Sequence, residues 1–243
     1  MAESFLIIGG GSDIAQVLAK KLLEHKHKVT MLVRNESSIN DFILQECSIV
    51  VGDALSSDDL QSAIDVAIKE GDGRMSGVAH LVGSILIRPP HALKVEAFEE
   101  VIQTNLVSAF LTLSKSCKAL LKSGGGRVVF TSSVAASLGL VNHEAISAAK
   151  GGIESMVRSA AATYAQRNIR VNAIAPGLTD TKLSESIIRS ESLRESAVSM
   201  IPMKRINQPE EVAEGMFWLL TSAPDNLTGQ IIHLDGGMRN VRN

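Results

Sequence analysis

Residues 5–15 read FLIIGGGSDIA. Four apolar residues with no polar interruption run straight into three glycines, and a helical pattern begins at Asp13. An uninterrupted apolar run of this length fits a strand buried on both faces, which is the kind found in parallel sheets covered by helices. Glycines let the chain turn tightly at its end.

The same grammar repeats along the chain. Further short runs rich in Val and Ile occur at 29–33, 49–51, 78–82, 128–131, 169–174 and 231–234. Helical patterns are expected between them at 13–24, 57–69, 94–121, 143–166, 180–200 and 209–221. The last opens with Pro209 followed by two glutamates, a sound helix start. The alternation predicts an α/β, doubly wound Rossmann-type fold, a seven-stranded parallel sheet with helices on both faces. With no linker, repeat or low-complexity segment, one domain over 1–243 is the economical reading.

Bulk properties narrow the function classes. The chain has 24 basic against 26 acidic residues and 45% hydrophobic residues, which excludes the electrostatic footprint of a nucleic-acid binder. Lys26-His27-Lys28 reads as a solvated helix end. Cys47 and Cys117 lack metal or disulfide spacing and are expected as reduced, buried thiols. The start of the chain does not resemble a signal peptide, and no apolar run approaches a membrane span. A cytoplasmic protein without membrane or nucleic-acid partners is expected.

Two features bear on a ligand. A glycine turn between a first strand and a helix offers unpaired N–H groups to a pyrophosphate, although a purely structural turn explains the glycines equally well. The second run ends at Val33-Arg34, with no acidic residue to take ribose hydroxyls. A guanidinium there favours the extra phosphate of NADP over NAD, the plain alternative being a solvent-facing arginine.

Joined in order, further motifs carry a resemblance. They are VGDA at 51–54, QTNLVSAF at 103–110, RVVFTSSV at 127–134, IRVNAIAPG at 169–177, LTGQ at 227–230 and LDGG at 234–237. Over nearly its whole length the chain resembles the short-chain dehydrogenase/reductase family, and in particular its 3-oxoacyl-acyl-carrier-protein reductases. The resemblance implies a nicotinamide cofactor and a homotetramer or homodimer. It implies cofactor contacts at Gly9, Gly11, Ser12, Asp13 and Ile14 in the glycine turn, and at Arg34. Asp53 and Ala54 would lie by the adenine, and Val82 and Gly83 on the adenosine side. Pro176, Gly177, Thr179 and Thr181 would cover the nicotinamide. It implies catalytic roles for Asn105, Ser133 and Lys150, the lysine also holding the nicotinamide ribose. Ser133 rather than Ser132 is selected because Lys150 follows it by seventeen positions. Asn105 fits a structural bond across the long helix equally well.

Three departures stand out. Asp13 and Ala15 occupy positions where the family prefers glycine, and His80-Leu81-Val82-Gly83 replaces its Asn-Asn-Ala-Gly. Most consequential, Ile146 stands where the family keeps the tyrosine that gives a proton to the substrate oxygen. Tyr164, the one tyrosine, lies ~21 Å along the same expected helix from Lys150. His143 is the better donor, because positions 143, 146, 147 and 150 share a helical face if the helix reaches back that far. It also fills the slot of the Tyr-x6-Lys tyrosine in enoyl-acyl-carrier-protein reductases, a divergent branch of the family. The alternative is a plain residue at a helix start.

Leu183, Ile187, Ile188, Leu193 and Met200 give the 180–200 segment an apolar surface suited to a substrate with an apolar portion. Two functions follow. One is an NADP-dependent oxidoreductase acting on a carbonyl or activated double bond with a non-standard proton donor. The other is a catalytically silent cofactor binder, acting as a regulator or oligomer partner.

Overall fold

The computed structural model describes residues 2–241, so Met1, Arg242 and Asn243 of the expected 1–243 domain lie outside it. Seven strands, β1 (Ser4–Ile8), β2 (Lys28–Val33), β3 (Ser48–Val51), β4 (Gly77–His80), β5 (Gly126–Thr131), β6 (Ile169–Pro176) and β7 (Ile231–Leu234), form one sheet. Their order is β3-β2-β1-β4-β5-β6-β7 and every pairing is parallel. All strand C-termini therefore share one edge, where such sheets bind ligands.

The helices are α1 (Asp13–Glu24), α2 (Asp41–Glu46), α3 (Ser57–Glu70), α4 (Val95–Ile102), α5 (Ser108–Ser123), α6 (Glu144–Tyr164), α7 (Glu185–Ile188), α8 (Glu191–Ser199) and α9 (Pro209–Thr221). Side chains alternate across a strand, and β1 shows the consequence. Phe5 and Ile7 enter a core with Leu18 and Leu22 of α1 and Met216 of α9. Leu6 and Ile8 enter the opposite core with Leu60 of α3, Leu120 of α5 and Ile153 of α6. Both faces of the sheet are thus covered, which is why several of the strand runs, such as Phe5 to Ile8, are apolar throughout. No helix among the described residues is long and apolar enough to cross a membrane.

Several expected boundaries shift. The strand expected at 78–82 ends at His80, and that expected at 169–174 continues to Pro176. The helix expected at 94–121 is interrupted by a π-turn, Gln103–Val107. Within it the Asn105 side chain donates to Val101 O, four residues back, inserting a side chain into the helical ladder. The expected 180–200 helix is a 3-10 turn, Lys182–Ser184, followed by α7 and α8. Serine side chains break it: Ser190 caps α8 by accepting from Leu193 N, and Ser184 turns back on Thr179 O. The six-residue α2 was not expected from the sequence. It is capped by Asn40, whose Oδ1 accepts from Ile43 N at 3.0 Å, and is too short for a periodic signal.

Candidate active site

A cavity of ≈ 510 Å³ opens at the C-terminal edge of the sheet. One wall is the glycine turn. Ser12 begins α1 there, its Oγ accepting from Ala15 N at 3.2 Å. Gly9 has φ +87°, and a Cβ at that position would lie 2.8 Å from the Leu81 carbonyl carbon and from Val82 N. Only glycine lets the turn after β1 pack against the exit of β4.

Lys150 on α6 occupies the floor. It is 6% exposed, and its Nζ donates to Thr131 O at 2.9 Å. Burial lowers its pKa to about 8. Gly83 sits against it: a Cβ there would lie 3.4 Å from Nζ and 3.1 Å from Asn105 Oδ1. Asn105 is buried, accepts from Ser84 N at 3.2 Å, and donates to Ser84 Oγ and Val101 O, each at 3.0 Å. Both amide hydrogens are thereby consumed in tying the β4 exit to the π-turn.

Behind the lysine, His80 is fully buried and lies 3.0 Å through Nε2 from Ser108 Oγ. That hydroxyl donates to Thr104 O at 2.6 Å, so Nε2 carries the ring hydrogen. Burial, with the Lys150 charge adding, lowers the His80 pKa to about 3, and the ring is neutral.

The end of β5 supplies two serines with different duties. Ser133 Oγ accepts from Ala135 N at 3.2 Å and starts the 3-10 turn Val134–Ala136. Ser132 Oγ donates to the buried Glu154 carboxylate at 2.9 Å. Both serines line the cavity; the sequence set Ser132 aside in favour of Ser133 and offered no signal for Glu154.

His143 immediately precedes α6, so the helix does not include it, although its carbonyl accepts from Ser147 N at 2.8 Å. Its Nδ1 lies 2.7 Å from Val141 O. A carbonyl only accepts, so Nδ1 carries a hydrogen and donates it to Val141 O. His143, Ile146 and Lys150 all line the cavity, whereas Ser147 turns away to donate to Ala135 O. Ile146 is 4% exposed and packs with Val101, Ala135, Ala145, Ala149 and Leu140. Tyr164 ends α6 and packs in the core instead, away from the cavity.

Of the expected cofactor residues, Gly11, Ser12, Asp13, Ile14, Val82, Gly83, Pro176, Gly177, Thr179 and Thr181 line the cavity. Gly9, Arg34, Asp53 and Ala54 do not line it. Gly9 opens the turn directly after β1, while exposed Arg34 follows β2, and exposed Asp53 and buried Ala54 follow β3, on the same sheet edge. Asp53 Oδ1 is used locally, accepting from Leu55 N at 2.8 Å. Of the apolar residues expected over a substrate, Leu183, Ile187 and Met200 reach the cavity, and Ile188 and Leu193 do not. Ile85, Ile87, Leu140, Ile201 and Met238 join them from segments that showed no motif. Cys47 and Cys117 are free and buried, and burial raises both to about 12.

A family model described as enoyl-(acyl carrier protein) reductase matches residues 9–239. The chain is 29% identical to the 3-oxoacyl-[acyl-carrier-protein] reductase MabA of Mycobacterium tuberculosis, over 98% of this chain and 93% of that protein. It is 31% identical to a tropinone reductase homolog of Arabidopsis thaliana, over 97% of this chain and 91% of that protein. Among solved structures, an actinorhodin polyketide ketoreductase with NADPH superposes with a TM-score of 0.92. At 23% identity over 99% of this chain and 98% of that one, it is a likeness of fold. The chain belongs to the short-chain dehydrogenase/reductase family, in the group that the enoyl-(acyl carrier protein) reductase model covers.

Proposed function

We propose that this chain is an NADP(H)-dependent oxidoreductase acting on a carbonyl or an activated double bond of a substrate with an apolar portion. The observation that carries the reading is the convergence of Lys150, Ser133 and His143 on one largely apolar cavity that begins at the glycine turn. The residues fit a dinucleotide. Lys150 uses one of its three ammonium hydrogens, on Thr131 O, and a ribose diol would take the others. Gly11, Ser12, Asp13 and Ile14 would face the diphosphate, with Gly9 shaping the turn. Arg34 would meet the 2′-phosphate, Asp53 and Ala54 the adenine, and Val82 and Gly83 the adenosine side. Pro176, Gly177, Thr179 and Thr181 would cover the nicotinamide.

The nicotinamide supplies or accepts the hydride. In reduction, Ser133 Oγ would donate to the substrate oxygen and hold the developing negative charge. His143 is the proton donor, through Nε2 once protonated, with its Nδ1–H oriented by Val141 O. Lys150 would deliver the proton through a water chain where His143 does not reach. Hydride addition to a conjugated acyl group yields an enolate, which asks for charge stabilisation more than for immediate protonation at oxygen. A site with Ile146 in place of a phenol suits that chemistry. Asn105 acts by position, holding Ser84 and the β4 exit.

Free, buried Cys47 and Cys117 suit a reducing cytoplasm. Val95, Phe98 and Phe110 put apolar side chains into solvent on α4 and α5, which supports a homodimer or homotetramer.

A second reading rests on Ile146. Its packing into an apolar cluster, with no phenol anywhere at the cavity, equally suits a cofactor binder without turnover. Purified protein mixed with NADPH and a panel of ketones and enoyl thioesters separates the two. Cofactor oxidation with any of them supports the enzyme, and binding without oxidation across the panel supports the silent binder.

A further inference from the structure

One side chain fastens the roof of the cavity to the glycine turn. Asp13 is the first residue of α1, and its Oδ2 accepts from the main-chain N–H of Lys182 at 2.8 Å, across 169 residues of sequence. Lys182 opens the 3-10 turn Lys182–Ser184, whose leading N–H groups have no partner inside the turn. Asp13 satisfies one of them, as a capping residue would, but from a different element. The roof is internally tied: Ser184 Oγ lies 2.5 Å from Thr179 O and accepts from Thr181 N at 3.2 Å. Gly11 to Ile14 and Thr181 to Ser184 line the same cavity, so the bond bridges its rim.

A glycine at position 13, as the family pattern has it, would leave the Lys182 N–H without this acceptor. The aspartate also places a negative charge at the positive end of α1, where, on the reading above, the cofactor diphosphate binds. Two anions then compete for one helix terminus.

We propose that Asp13 is a latch: in the cofactor-free protein it holds the 181–184 turn, and the segment behind it, against the glycine turn, and the dinucleotide enters when that bond opens. The proposal rests on the dinucleotide reading for its purpose, not for the bond itself.

Amide hydrogen exchange on the cofactor-free protein and stopped-flow binding of NADPH test it together. In wild type the observed association rate levels off with NADPH concentration, because opening becomes limiting. In Asp13→Ala the exchange of amides 182–184 speeds by about tenfold or more, as expected for loss of a charge-assisted bond. The association rate of that variant then climbs linearly. Asp13→Asn keeps an acceptor oxygen and loses the charge, so it retains the protection and binds NADPH several-fold tighter. Unchanged exchange at 182–184 in Asp13→Ala overturns the latch, as does an association rate that levels off at the wild-type value. If wild type takes up no NADPH, the dinucleotide reading and the gating role fail together, while the exchange comparison still decides whether Asp13 holds the turn.

Discussion

Lys150 Nζ lies 2.9 Å from the main-chain oxygen of Thr131, so a buried ammonium joins α6 to the strand end that presents Ser133. No carboxylate pairs with that ammonium among the described residues. Its pKa falls from 10.5 to about 8 because burial disfavours the charge. Below about pH 8 both folded and unfolded chains hold the proton, and the folded state bears the whole cost. Between about pH 8 and 10.5 the unfolded chain binds more protons, so this group makes stability rise with pH.

Lys150→Met should therefore unfold at higher denaturant than wild type near neutral pH, by about 1–3 kcal/mol. The rise in stability above pH 8 should disappear in the same variant, while NADPH binding weakens. Chemical denaturation at several pH values checks both, and a variant less stable than wild type at neutral pH would show that the lysine contributes more by bonding than it costs by burial.

Ile146→Tyr should fold with a loss of about 1–3 kcal/mol, since the extra volume and a hydroxyl enter an apolar cluster already filled by Val101, Ala135, Ala145 and Ala149. Denaturant midpoints read this directly. Unchanged stability would mean that the cavity side of Ile146 has room for a phenol.

Much of this was legible in the sequence, for identifiable reasons. The start of α9 follows from Pro209, a local signal that acts within one turn of the chain. The strands follow from short runs rich in Val and Ile, several of them apolar throughout. The π-turn was not legible, because it depends on Asn105 meeting Ser84, which is distant in sequence and set by the fold. The breaks at Ser184 and Ser190 were missed because the apolar spacing of 180–200 fits one helix until local serine bonds compete. Ser133 and Lys150 came from the family resemblance, with spacing choosing between the two serines, whereas Glu154 behind Ser132 and neutral His80 behind Lys150 required the packed core. The reading of Asp13 as a departure from a glycine pattern gave no hint of its partner, Lys182.

Removing the imidazole tests the assigned donor. His143→Ala should lower kcat by about a hundredfold or more with the best substrate of the panel. The KM for NADPH should hold, since His143 is assigned to the substrate end of the cavity. An unchanged kcat would transfer the proton step to the water chain on Lys150.

Arg34 is exposed at the end of β2, free to meet a phosphate. Arg34→Ala should weaken NADPH by about tenfold or more, the worth of a charge-assisted contact, and leave NADH little changed. Equal losses for the two nucleotides would count against NADP preference.

The most direct measurement is equilibrium titration of the purified chain with NADPH and with NADH. The account predicts one NADPH taken up per chain, more tightly than NADH, with the affinity reduced in Lys150→Met. No uptake of either nucleotide would contradict it.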